Sequence, residues 1–374
     1  MKIFHISAGK LKSIKVNNGD IKLLSTGKFD GFTSKDLIAN QINKGEVITL
    51  PSGGSANIKY YNGEFIDSGN ILASTYDKRF YNTKYIYYYL LSINDIISNC
   101  YRGSGVKHPD MTQVLDLKIP IPPLPVQEEI VRILDKFTNL TAELEAELEA
   151  RKKQYEFYRD RLLTFDNTEK NALNKQRIEY RTLEELFILK NGYTPSKANK
   201  DFWTNGTIPW FRMEDIRANG NVLNDSIQHI TKNAVKNSFL FPADTIILAT
   251  SATIGEHALI KVKFLANQRF TALMLKDDYK SVLDIKYFYY LMFKIDNWCK
   301  ENTNISNFPS VNMEKLKSLV IPIPSLHTQQ KIVSILDRFN ALCADLTSGL
   351  PAEIEARKKQ YEYYRDKLLT FNKL

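Results

Sequence analysis

The clearest pattern in the chain is a seam of positions spaced alternately by four and three: Ile130, Leu134, Phe137, Thr141, Leu144, Leu148, Arg151, Tyr155, Tyr158 and Leu162. That spacing is a heptad stripe on one face of an α-helix. Ala, Glu, Leu, Lys and Arg dominate residues 141–161, and the prolines at 120, 122, 123 and 125 mark where the helix can begin. The pattern predicts about 40 helical residues, a rod of roughly 60 Å. A second seam runs through Ile332, Leu336, Phe339, Cys343, Leu346, Leu350, Ile354, Arg357, Tyr361, Tyr364 and Leu368. One additional step of four interrupts it, a stutter that locally unwinds a coiled coil. Ser348, Gly349, Leu350 and Pro351 fall there, so a kink or brief break is expected. Outside the seams, residues 45–50 and 244–248 read as buried strands, followed by small-residue loops at 52–55 and 250–255. The tyrosine-rich run at 85–89 reads as the core face of a helix.

The two seams belong to a long internal repeat. IPIPPL at 119–124 returns as IPIPSL at 321–326, and QEEIVRILDKFTNL at 127–140 as QQKIVSILDRFNAL at 329–342, at a constant separation of 202 residues. KYIYY at 84–88 matches KYFYY at 286–290 at the same separation. ARKKQYEFYRDRLLTF at 150–165 returns as ARKKQYEYYRDKLLTF at 356–371 with two substitutions, now 206 residues on, so the second copy is four residues longer. Further upstream the likeness fades to Phe4 with Gly9 against Phe187 with Gly192. The order is variable domain, matching segment, variable domain, matching segment. It predicts an α+β chain with globular domains at 1–124 and 180–326, helices at 125–166 and 327–374, and a linker at 167–179. Each helix alone would leave an apolar stripe uncovered, so the two pack most simply on each other. Antiparallel pairing gives a pseudo-twofold molecule with its domains at opposite ends; a homodimeric coiled coil is the alternative.

Composition narrows the function. At 374 residues the chain exceeds one ordinary hydrophobic core. Cys100, Cys299 and Cys343 are far apart and form no CxxC pair, which fits a reducing compartment and a cytoplasmic home. No apolar run is long enough to span a membrane. A net charge of +9 favours a polyanionic partner. The histidines, His5, His108, His229, His257 and His327, lack metal-binding spacing and read mostly as surface or loop residues. No P-loop or Asn-Pro-Pro-aromatic methyltransferase signature is present. Asp110, Asp116 and Lys118 superficially match a metal-dependent nuclease pattern, yet their counterparts Asn312, Ser318 and Val320 lack both acids and the lysine, so an ordinary helix start is the better reading. Catalytic and metal-ligating residues are therefore expected to be absent.

The TAEL and EAEL tetrapeptides at 141–148, followed by ARKKQYEFYRDRLL at 150–163, resemble the specificity subunits of type I restriction-modification systems, in particular the type IC-like subgroup with tandem TAEL repeats. The resemblance covers nearly the whole chain. It implies a non-catalytic DNA reader without a cofactor of its own, in which two target recognition domains, held apart by antiparallel conserved helices, each bind half of a split asymmetric site. It further implies two modification subunits that methylate adenine with S-adenosylmethionine, and restriction subunits that translocate DNA. The sequence departs from the family in one place: residues 179–185 precede Phe187, whereas almost nothing precedes Phe4, so the first domain is expected to be shortened or its start mis-set. Four helical residues lengthen a rod by about 6 Å, and the resemblance implies that tetrapeptide number sets the spacer between half-sites. A stand-alone coiled-coil scaffold and a magnesium-dependent nuclease are the rival readings.

Within such a reader, polar loops carrying Arg, Lys, Asn and aromatic residues are the candidates for double-stranded DNA, because Arg reads guanine and Asn or Gln reads adenine in the major groove. In the first domain these are Lys28, Lys35, Lys78, Arg79, Arg102, Lys107 and His108; in the second, Tyr193, Lys197, Trp210, Arg212, Arg269, Asn304 and Asn307. The small-residue loops at 52–55 and 250–255 could admit phosphate to backbone amides, as could any simple turn.

Overall fold

The stripe from Ile130 to Leu162 folds as one uninterrupted helix, Leu124–Leu162, in the computed structural model, which describes residues 4–38, 42–165, 178–304, 309–344 and 349–371. Pro125 occupies its first turn, where a missing N–H costs nothing, and no Gly or Pro follows within it. The second stripe forms two helices, Leu326–Ala344 and Leu350–Leu369. Gly349 and Pro351 stand at the start of the latter, as the stutter predicts, while residues 345–348 lie outside the described residues. Also outside them are residues 166–177, most of the expected linker.

The chain divides into two compact units, residues 1–147 with 352–374, and residues 148–351. Each therefore contains a globular part and portions of both matching segments. In the first unit the helices run antiparallel: Glu145 pairs with Lys358 at 2.8 Å, Phe137 stacks on Tyr364 at 5.1 Å between centroids, and Leu369 shares a core with Ile130 and Leu134. In the second unit Tyr155 and Tyr158 pack on Phe339, and Leu163 joins Ile332 and Leu336 in one core, again in reversed order. Internal pairing thus supplies the partner that each stripe needs.

The first globular part is built on a five-stranded sheet in the order Asp30–Thr33, Ile21–Leu24, Lys59–Asp67, Asn43–Pro51, Asn70–Ala73. The second has a five-stranded sheet, Val222–Leu223, His257–Ile260, Thr245–Ala249, Phe270–Leu275, Phe187–Asn191, and a three-stranded one, His229–Ile230, Ile208–Phe211, Leu265–Ala266. Both predicted strands are present, and Thr245–Ala249 is buried throughout. The tyrosine run lies on a helix, Thr83–Ser92, with Tyr85 and Tyr88 in the core; its repeat partner is Ile285–Glu301. His257 departs from the surface expectation: it is fully buried, with Nδ1 2.6 Å from the Asp296 carboxylate.

A buried clamp joins each tyrosine helix to the following long helix, and it is built twice from equivalent residues. Gln127, fully buried, accepts from the Asn82 N–H at 2.9 Å and donates to the carbonyls of Phe80 and Pro122 at 2.8 and 2.7 Å. Gln329, also fully buried, accepts from Asp284 N–H at 2.8 Å and donates to Val282 and Pro324 at 2.8 and 2.7 Å. Eight residues further on, two helical turns along the same face, Asp135 takes Lys84 at 2.7 Å and the Tyr88 hydroxyl at 2.5 Å, and Asp337 takes Lys286 and Tyr290 at 2.6 and 2.5 Å. Tyr85 and Tyr287 donate to the carbonyls of Pro120 and Pro322. At each helix root the glutamine amide and the tyrosine hydroxyl thus satisfy three backbone carbonyls and one backbone N–H.

Gln127→Leu would strand one amide and two carbonyls, so the first unit should lose about 3 kcal/mol, visible as an earlier unfolding transition in urea, with Gln329→Leu doing the same to the second. Burial, then the hydrogen bond to the aspartate, raises the Tyr88 and Tyr290 hydroxyl pKa well above 10.0. A raised folded-state pKa contributes stability that is full below the unfolded value and is lost as pH climbs above it. Tyr88→Phe with Tyr290→Phe should accordingly lower the urea midpoint at pH 8 and flatten its fall between about pH 10 and 11.

Candidate nucleic-acid interface

After its tyrosine helix the first unit forms a short hairpin, Tyr101–Arg102 against His108–Pro109. The hairpin is fastened to the turn that ends the nine-residue strand Asn43–Pro51. Gly54 N–H donates to Lys107 O at 2.8 Å, the Tyr101 hydroxyl to Pro51 O at 2.7 Å, and His108 Nδ1 lies 2.6 Å from Ser52 O. A carbonyl only accepts, so the Nδ1 of His108 carries the proton. Gly53 packs closely under the hairpin: a Cβ there would stand 3.2 Å from both the His108 ring and a Val106 methyl, so a larger residue would push these side chains aside. The hydroxyl of Ser52 in turn bonds Gly69 O, and Asp67 accepts the Gly69 and Asn70 amides at 2.7 and 2.9 Å. This polar platform carries Arg102 and Lys107 on its outside, both exposed and without an ion pair among the described residues. Lys28 is similarly exposed and unpaired, on a loop that Asn57 ties at Gly27 O.

The second unit repeats this construction on different side chains. Its hairpin, Thr303–Asn304 against Ser310–Val311, has both rungs 202 residues after those of the first. Val311 N–H donates to Thr250 O at 2.9 Å, Ser251 bridges Ser310, and Thr250 N–H donates to Arg269 O at 3.0 Å. The Thr194 hydroxyl donates to Gln268 Oε1 at 2.5 Å. Thr194, Thr250, Arg269 and Asn304 therefore meet at one end of the five-stranded sheet, where Asn191 pairs with Thr271 and Ala249 with Phe270. Arg269 is exposed and has no ion pair among the described residues; Lys197 is likewise free, on the segment whose Ser196 carbonyl accepts from Trp203 Nε1 at 3.0 Å.

Other candidates are engaged within the protein. Lys35 pairs with Glu64 at 3.2 Å and Lys78 with Glu46 at 2.7 Å, while Arg79 grips Asp77 with a forked bond at 3.0 and 2.7 Å. The Arg79 bonds hold the Asp77 carboxyl below its usual range. Trp210 is a correction: it is 3 % exposed and its indole N–H donates to Tyr193 O at 3.0 Å, so it braces the core and has no edge to offer a base. Tyr193 is half-buried, donating to Ala234 O and accepting from Lys236 N–H. Arg212 lies 5.7 Å over the Trp210 ring and 3.9 Å from Glu214. Asn307 lies outside the described residues. Asp110 caps the helix Met111–Leu115 through Gln113 N–H, as Asn312 caps Met313–Lys317 through Lys315 N–H, an ordinary helix start. Among the described residues no group of three or more His, Cys, Asp or Glu is placed to hold a metal.

What the arrangement offers is two exposed heads, each with unpaired cations and polar groups on a fastened loop and hairpin, suited to phosphate and base-edge contacts. Loss of a phosphate contact lowers the slope of log affinity against log salt by about 0.9. Arg102→Ala with Lys107→Ala should weaken DNA binding about tenfold and reduce that slope by about one to two. Arg79→Ala, already neutralised by Asp77, should change affinity by less than about twofold. A salt titration of binding to a labelled duplex checks both.

A family model described as "Type I restriction modification DNA specificity domain" matches residues 2–151 and 175–356. Among curated relatives, the chain is 53% identical over 201 residues to the EcoprrI specificity subunit of Escherichia coli, covering 52% of this chain and 50% of that protein, so the match spans half of that relative's length. It is 38% identical over 373 residues to the EcoR124I/EcoR124II specificity subunit of Escherichia coli, covering 94% of this chain and 87% of the relative. The fold resembles the crystal structure of a type I restriction-modification S subunit from M. genitalium, with a TM-score of 0.60, 18% identity and coverage of 100% and 94% of the two chains.

Proposed function

Since the chain belongs to the type I restriction-modification DNA specificity family, we propose that it is the non-catalytic DNA-reading subunit of such a system, with each globular unit reading one half of a bipartite, asymmetric site. The observation that carries this reading is the pairing of matching clamps with unlike heads. Gln127 with Asp135, and Gln329 with Asp337, hold equivalent bonds. The heads they hold differ in sheet layout and in the side chains they expose, Arg102 and Lys107 in one and Arg269 and Asn304 in the other. Equivalent roots suit equivalent partners, and unlike heads suit an asymmetric sequence.

In this reading two modification subunits dock on the paired matching segments and supply adenine methylation with S-adenosylmethionine, while restriction subunits join through the complex. The setting is the cytoplasm, where the DNA is. The helical tetrapeptides at 141–148 set the spacer between the half-sites: one further unit lengthens the helix by about 6 Å, or one to two steps of roughly 3.4 Å along the duplex.

Sequencing of methylated bases in a strain with and without this chain tests the proposal. One split adenine-methylated motif should vanish with the chain and return on complementation. An unchanged methylome in an active system would overturn the reading. Duplicating EAEL at 145–148 should keep both half-sites and widen the spacer by one or two base pairs; an unchanged spacer would remove the tetrapeptides from that role.

A further inference from the structure

One imidazole on the first head has its hydrogen-bonding polarity fixed by the backbone beneath it. His108 stands on the rung nearest the tip of the hairpin, opposite Arg102. The chain is tied on both sides of it: Gly54 N–H donates to Lys107 O at 2.8 Å, and Asp110 N–H donates to Cys100 O at 2.9 Å. The ring itself is held in two ways. Nδ1 lies 2.6 Å from Ser52 O, and the ring edge rests against Gly53, where a Cβ would come within 3.2 Å of it. Flipping the ring would set a C–H against the carbonyl and forfeit the bond, so one orientation is kept.

A neutral imidazole has one N–H, and Ser52 O takes it. Nε2 is therefore a bare lone pair, an acceptor that cannot donate. His108 is exposed, and its Nε2 meets no protein partner among the described residues. Beside it stand Arg102 and Lys107, which carry donors only. The equivalent position of the second unit, 202 residues on, is Ser310, opposite Asn304, and a hydroxyl can either donate or accept. In the major groove a fixed acceptor sorts bases into two classes. Adenine N6 and cytosine N4 carry hydrogens, whereas guanine O6 and thymine O4 carry lone pairs that oppose it. Each base pair has one base of each class, so such an acceptor reports which strand carries the amino group.

We propose that His108 is a specificity-determining residue of the first unit, its Nε2 accepting from the exocyclic amino group of one adenine or cytosine in the half-site. The proposal rests on the DNA-reading function above and adds to it the class of base read at one position. Ser52 O selects the tautomer, and Gly53 leaves the ring room to lie over the turn.

Sequencing of methylated bases first supplies the split motif; a methylome indifferent to the chain would remove the DNA-reading function and this proposal together. The full chain is then bound to labelled duplexes of that motif in which single adenines or cytosines are replaced by purine or pyrimidin-2-one, which lack the amino group. At one position of one half-site the replacement should weaken binding about tenfold, and the base found there separates adenine from cytosine. With His108→Ala that same replacement should cost less than about twofold, while every other position responds as before. If all positions keep their sensitivity in His108→Ala, DNA is read but not by this ring, and the proposal falls alone. The tautomer is checked without DNA, by nitrogen NMR of the full chain carrying isotope-labelled histidine at about pH 8, where imidazole is neutral. The His108 signal, identified by its absence from His108→Gln, should show a protonated Nδ1 and a bare Nε2. A proton on Nε2 would overturn the proposal whatever the variants bind.

Discussion

The buried glutamine at the root of each long helix is the constraint on which the rest of each unit depends. A globular part meets a helix at a proline-rich corner, IPIPP in one copy and IPIPS in the other, where prolines remove backbone donors and leave carbonyls behind. With one amide nitrogen Gln127 and Gln329 each satisfy a carbonyl of that corner, Pro122 O or Pro324 O, and one before the tyrosine helix, Phe80 O or Val282 O, and each takes an N–H at the tyrosine helix with its oxygen. Asp135 and Asp337 then hold the tyrosine helix along its length through a lysine and a tyrosine. A buried glutamine bonded in this way favours one geometry, because an alternative packing would leave its amide and the carbonyls unpaired. The direction in which the head leaves its helix is thereby set within each unit.

A fixed root leaves the opposite end free to vary. Downstream of each tyrosine helix the chain makes a hairpin in the same register, and each hairpin closes on the loop that ends a central strand. The fastening differs, a histidine ring and glycine backbone at 52–54 in one case and a backbone bridge at Ser251 and Ser310 in the other. The exposed groups differ too. Contacts within the scaffold are therefore separate from contacts offered outward, a division expected of recognition loops carried by a rigid support.

The helices, their antiparallel pairing, the stutter and the burial of Tyr85 and Tyr88 were legible in the sequence because each rests on periodicity or on the repeat, which are local and numerous signals. The clamp was legible in part: Gln127, Asp135, Lys84 and Tyr88 all recur 202 residues later, but identity does not say which atoms meet. The shared hairpin escaped because YR and TN have no residue in common, and strand pairing follows backbone register, which side chains specify weakly in two-residue strands. Trp210 and Arg79 illustrate the limit at the surface. Whether an aromatic or a cation is available depends on the carbonyl or carboxylate that folding brings beside it, Tyr193 O in one case and Asp77 in the other. His257 escaped for the same reason, its partner Asp296 being 39 residues distant.

If one chain carries two independent readers, as proposed, each head should touch its own half of the DNA site. The most direct test places a photo-crosslinking amino acid at position 107 in one preparation and at position 269 in another, binds each to a duplex carrying the proposed split motif, and maps the crosslinked bases. Crosslinks from position 107 should be confined to one half of the site and those from position 269 to the other. Crosslinks from both positions to the same half, or from neither to the DNA, would contradict it.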